Sequence, residues 1–212
     1  MKITIVGASG QIARLLHPLL IQNRHQVRGL IRKEEQAAEL KKAGVEPVIT
    51  DIEHVDDLSD AVGNADAVLF AAGAGPGSGA DRKWTVDRDG AIKLIDAAKK
   101  NGINRYVMIS AMGLETPRGN EVFQVYQKAK AEADEALRNS GLDYTIVKPG
   151  RLTNQPGTGK VKAAINLGRG EIPRADVAAV LAEIFEMPET SGLEFDLLSG
   201  DEGIRNALMT LI

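Results

Sequence analysis

Cysteine is absent from the 212-residue chain. That removes a disulfide framework, a thiolate nucleophile and a zinc–cysteine centre, and it suits a reducing compartment. A cytoplasmic location is expected. No apolar run is long enough to cross a bilayer, and the opening stretch Ile3-Thr4-Ile5-Val6 is too short for a signal peptide. Neither membrane attachment nor secretion by that route is expected. Charge of one sign is also scarce: the net charge is -3 and the pI about 5.7. No global field gathers a polyanion, so nucleic acid is not an expected partner. His17, His25 and His54 fall in separate segments without ligand spacing, and no metal site is expected.

What is present is an ordinary globular composition, 43% hydrophobic and 26% charged, enough for one core and one domain over residues 1–212. Short β-branched runs at 2–6, 26–31, 46–50, 67–71, 105–110, 144–148 and 194–198 read as strands. Between them the apolar spacing turns helical, as in Ile12, Leu15, Leu16, Leu19 and Leu20, or Ala129, Ala133, Ala136 and Leu137. Gly44, Gly102 and Gly141 each follow a helical run with a base in its last turn, which marks three helix ends. Alternating strands and helices predict an α/β fold of the Rossmann type: a doubly wound parallel sheet of about seven strands with helices on both faces. The predicted order is 3-2-1-4-5-6-7, with 2–6 inside the sheet and 194–198 at its edge.

Gly7-Ala8-Ser9-Gly10-Gln11-Ile12-Ala13 lies between the first strand and the first helix. Its spacing, Gly-x-x-Gly-x-x-Ala, lets backbone N–H groups and a helix N-terminus approach a diphosphate. Gly7, Ser9, Gly10, Gln11 and Ile12 are the expected contacts; the alternative is a purely structural turn. After the second strand come Arg32 and Lys33. Two cations at a helix start oppose its dipole unless an anion joins them, so both are expected to receive the 2′-phosphate of NADP. Glu34 or Glu35 could instead hold the ribose of NAD, which stands as the lesser cofactor.

Further along, Thr50-Asp51-Ile52, Ala71-Ala72-Gly73, Ser110, and Tyr126-Gln127-Lys128-Ala129-Lys130 add to the pattern. Together with residues 140–150, ending in Lys148-Pro149-Gly150, and Arg174-Ala175-Asp176-Val177-Ala178, they resemble the atypical short-chain dehydrogenase/reductase superfamily. The resemblance is to its small NAD(P)-binding branch of flavin and biliverdin reductase-like proteins and epimerase/dehydratases. It implies that Asp51 and Ile52 flank the adenine, that Ala71, Ala72 and Gly73 pass the nicotinamide ribose, and that Pro149 and Gly150 edge the nicotinamide. Asp51 could otherwise cap a helix starting at His54.

Tyr126 and Lys130 are four residues apart and would share a helix face. An ammonium near a phenol favours phenolate and would lower its pKa from about 10. Within the resemblance Tyr126 is the proton donor, Lys130 its tuner and a ribose ligand, and Ser110 the holder of a substrate oxygen. Two departures stand out. The family's better-studied enzymes complete a proton relay with an asparagine where this chain has Val86-Asp87-Arg88-Asp89-Gly90. The stretch after Pro149 is also too short for an extended epimerase's substrate lobe, so a shallow pocket is expected from residues 151–173 and the loops 73–83 and 112–123. The glycine-rich loop 73–79 is expected to be mobile without substrate, and Trp84 beside it either lines that pocket or packs a helix start. Thr158-Gly159-Lys160 is not a phosphate loop, because Val161 stands where Ser or Thr is needed.

The expected function is an NADP(H)-dependent oxidoreductase that passes hydride to a small carbonyl or conjugated substrate. Its expected partners are that substrate and a second copy of the chain. Two alternatives remain: a redox-sensing NADP-binding regulator without turnover, and an NAD-dependent epimerase or dehydratase.

Overall fold

A computed structural model describes residues 1–75 and 77–212. Pro76, inside the loop 73–79, lies outside the described residues. The chain begins with β1 (Lys2–Val6), α1 (Gln11–Gln22), β2 (Gln26–Ile31), α2 (Ala37–Lys42) and β3 (Glu46–Ile49). There follow α3 (Ser59–Val62), β4 (Ala67–Phe70), α4 (Ala80–Arg82), a π-helical stretch Lys83–Asp89, α5 (Gly90–Lys100) and β5 (Arg105–Ile109). The second half holds α6 (Glu121–Arg138), β6 (Asp143–Pro149), β7 (Arg151–Thr153), β8 (Lys160–Ala164) and β9 (Glu171–Pro173). It closes with α7 (Arg174–Glu186), β10 (Leu193–Ser199), β11 (Glu202–Gly203) and α8 (Ile204–Met209).

Strand order in the main sheet is β11-β8-β10-β6-β5-β4-β1-β2-β3. From β3 to β10 every pairing is parallel, so the doubly wound Rossmann arrangement and the interior position of β1 hold as expected. Alternation along β1 feeds two cores. Ile3 and Ile5 face α1 and α7, while Val6 joins the apolar residues of α5 and α6. Between them Thr4, also buried, donates its hydroxyl proton to the Val62 carbonyl at 2.9 Å. Gly44, Gly102 and Gly141 all have positive φ just past helix ends, the backbone that an L side chain disfavours.

The expected count and edge need correction. Among the described residues the main sheet has nine strands, and β7 pairs with β9 in a separate two-stranded sheet. β10 sits beside β6 as expected, but β8 runs antiparallel on its outer side and β11 pairs with β8. The physical reason is legible in β8: Val161 and Ala163 are buried while Lys160 and Lys162 are exposed. That period of two makes a strand with one apolar face, and lysines suit a strand near a sheet edge. Residues 151–173, expected as a small substrate-side region, supply three short strands.

β1 lies between β2 and β4, so the strand order reverses there and the carboxyl ends of β1 and β4 form a crevice. Gly7 has φ 84°, and a Cβ on it would lie 2.6 Å from Ala72 Cα and N. Only glycine lets the two strand ends approach so closely. No helix among the described residues is long and apolar enough to cross a membrane.

Candidate functional site

The crevice opens into a groove. Of the residues singled out in the sequence, Gly7, Ser9, Arg32, Asp51, Ile52, Ala72 and Gly73 line it. Next to the groove-lining Gly7 and Ser9, α1 begins with Gly10 in extended conformation as N-cap, with no side-chain cap and no acidic residue in the first turn; Gly10, Gln11 and Ile12 do not themselves line the groove. The N–H groups of Gln11 and Ile12 thus stand at a positive helix end with no side chain competing for them. These residues fit a diphosphate.

At the outer end Arg32 is half-exposed, with Nη1 3.8 Å from Glu53 Oε2. Glu53 is held mainly by Arg82, whose Nη2 donates to Oε2 at 2.6 Å, and also accepts from Thr85 Oγ1 at 2.7 Å. These contacts, led by Arg82, hold its carboxyl below the usual range. Arg82, Glu53 and Gln36 line the groove, and none was singled out in the sequence; Gln36 Nε2 donates to Ser9 Oγ at 2.8 Å. Lys33 turns away instead, toward Glu35 at 3.4 Å, and is not on the wall. Asp51 accepts from Glu53 N at 3.0 Å and faces His54 Nδ1 at 3.0 Å. Burial works to raise its pKa, but the amide, His54 and Arg32 outweigh it and leave the pKa lowered. It shapes a turn, since no helix starts at His54.

The inner end is a set of buried charges. Lys130, 4% exposed, donates to the Ile109 carbonyl at 3.1 Å and lies 3.7 Å from Asp87 Oδ1. Asp87 is fully buried; its Oδ2 accepts from Ala74 N at 3.3 Å. Ser110 donates to Asp134 Oδ2 at 2.8 Å. Asp134 sits four residues after Lys130 on α6, and burial pushes its pKa up to about 6 against the pull of Ser110, Lys148 and Lys130. Lys148 Nζ reaches Asp134 Oδ2 at 3.8 Å and pairs with Glu194. Asp87, Asp134 and Lys148 were not picked as site residues, although Asp87 marked the departure from the expected asparagine.

Tyr126 corrects an expectation. Its ring is half-buried, stacks on Phe123 and lies under Lys83 Nζ at 5.6 Å. Desolvation, helped by the Asp87 and Asp134 carboxylates, raises its pKa, so the phenol keeps its proton. The Lys130 ammonium is instead taken up by the Ile109 carbonyl and Asp87. Gly150 has a packing role of its own, since a Cβ there would run into Leu198 Cδ2. Ala71 N donates to Val6 O, and Pro149 ends β6; neither lines the groove. Trp84 carries the Arg88 guanidinium at 4.7 Å from its ring centre.

Comparison with known proteins agrees with this geometry. A family model described as NAD(P)H-binding matches residues 7–188. An uncharacterized sugar epimerase of Bacillus subtilis, YhfK, is 42% identical, with both chains covered in full. A solved Bacillus halodurans structure attributed to an NAD-dependent epimerase/dehydratase has a TM-score of 0.93 at 40% identity, again over both whole chains. ChuY of Escherichia coli O157:H7, an anaerobillin reductase, reaches a TM-score of 0.79 at 25% identity over 95% of this chain and 98% of its own.

Proposed function

The chain belongs to the NAD(P)H-binding family, and from that premise we propose that it is an NADP(H)-dependent oxidoreductase acting on a small carbonyl or conjugated substrate. One observation carries the proposal: a single groove leads from Arg32, past the uncapped start of α1, to Gly73, behind which Lys130 and Asp87 are buried. Arg32 gives the outer end a cation for a 2′-phosphate, with Arg82 beside it. The nicotinamide, when bound, supplies hydride to an electrophilic carbon. Tyr126, protonated through the working range, can donate a proton to a substrate oxygen. Ser110 gives its hydroxyl proton to Asp134 and so has none left to hold a substrate carbonyl oxygen.

A second reading, a redox-sensing regulator without turnover, draws on Tyr126, whose phenol is not activated in the expected direction. An epimerase reading draws only on the names of similar proteins and would favour NAD. Calorimetric titration with NADP and NAD, followed by a screen of carbonyls and quinones at the nicotinamide absorbance, separates the three. Preference for NADP with consumption of NADPH supports the oxidoreductase. Tight NADPH binding without consumption supports the regulator, and preference for NAD overturns the cofactor assignment.

A further inference from the structure

Asp87 holds a carboxylate with one oxygen spare. Its Oδ2 takes the Ala74 N–H, while Oδ1 is buried with no hydrogen-bond partner among the described residues. The opposite charge beside it is Lys130 Nζ at 3.7 Å, an ion pair too long for a hydrogen bond. A bare carboxylate oxygen in a buried site is costly, and natural structures rarely leave one without a partner or a function. Lys130 has three N–H donors and gives one to Ile109 O.

Asp87 comes up to the groove wall at Gly73. A Cβ built on Gly73, a groove-lining residue, would sit 3.3 Å from Asp87 Oδ1. The missing Cβ of Gly73 thus leaves only backbone between that oxygen and the groove. An acceptor and a donor side by side select a ligand that donates and accepts at neighbouring atoms. A phosphate would be repelled by Asp87, and a bare carbonyl could not satisfy it. A vicinal diol meets both demands, and on a dinucleotide anchored at Arg32 and α1 the diol at this end is the ribose of the nicotinamide half.

We infer that Asp87 is a cofactor ligand whose Oδ1 accepts a hydrogen bond from a hydroxyl of the nicotinamide-side ribose, with Lys130 donating to the same diol. The inference rests on the dinucleotide reading. Its test compares NADP, 2′-phospho-ADP-ribose and adenosine 2′,5′-bisphosphate by calorimetry; the last lacks the second ribose. Asp87→Asn keeps an acceptor for Ala74 N and turns an amide N–H₂ toward Lys130. Affinity for the two ligands with that ribose should fall roughly tenfold to a hundredfold, the range of a hydrogen bond to a charged group. Affinity for the bisphosphate should not change. Gly73→Ala puts a methyl against Oδ1 and should give the same split, so it carries the test if Asp87→Asn fails to fold. Equal loss on all three ligands, or no loss, overturns the assignment and makes Asp87 a structural residue. A wild-type chain that binds none of the three overturns the dinucleotide reading itself.

Discussion

Ser110 donates to Asp134 across 2.8 Å inside the protein, and Asp134 leaves its other oxygen, Oδ1, without a hydrogen-bond partner among the described residues. A residue expected to serve substrate is thus tied to a carboxyl whose pKa burial has raised to about 6 from 3.8.

That shift has a sign in stability. An acid whose pKa is higher folded than unfolded favours folding when protonated. Its contribution is present below about pH 4 and lost as pH rises through about 6. A shift of this size corresponds to about 3 kcal/mol. Asp134→Asn, which still accepts from Ser110, should flatten that part of the profile. Urea unfolding of both proteins from pH 4 to pH 8 measures it, and parallel curves would refute the assignment.

Tyr126 is expected to stay a neutral phenol. Tyr126→Phe should leave unchanged the tyrosinate absorbance gained near pH 10, the ordinary tyrosine range. It should also leave NADPH bound while slowing reduction by roughly 10²–10⁴-fold, the range of a positioned acid. Full turnover in the variant would remove the phenol from the mechanism and favour the regulator.

Arg32, rather than Lys33, should set cofactor choice. Arg32→Asp is expected to weaken NADP by roughly tenfold to a hundredfold relative to NAD. Lys33→Ala should bind both as the wild type does, because Lys33 faces Glu35. Calorimetry with both dinucleotides decides; an unchanged preference in Arg32→Asp would sink the assignment.

Gly7→Ala should destabilise the protein even without ligand. The new methyl would meet the Ala72 backbone at 2.6 Å in a residue with φ 84°. A strained backbone position of this kind costs about 1–3 kcal/mol, readable as a lower urea midpoint. An unshifted midpoint would show that the two strand ends can separate freely.

Much of the scaffold was legible because its signals are local. Periodicity in Ile3 and Ile5 or in Leu16 and Leu20, and the glycines at 44, 102 and 141, encode strands, helices and their ends within a few residues. The outer strand β8 was missed because Val161 and Ala163 give only two apolar points, which a loop could also show. At the site, Gly7, Ser9, Arg32, Asp51, Ile52, Ala72 and Gly73 could be named in advance, since each ends or follows a strand of the doubly wound unit.

The sequence by itself determined the alternation of strands and helices, the position of the glycine turn and the cation after β2. Tertiary structure alone decided the charge environment at both ends of the groove. Arg82 meets Glu53 across 29 residues, and Asp87 meets Lys130 from the π-helical stretch before α5. Whether Lys130 activates Tyr126 depends on the nearby carboxylates and on how far water is excluded. Coulombic interaction and desolvation act through space, so spacing along the chain could predict a shared helix face but not the direction in which that phenol's pKa moves.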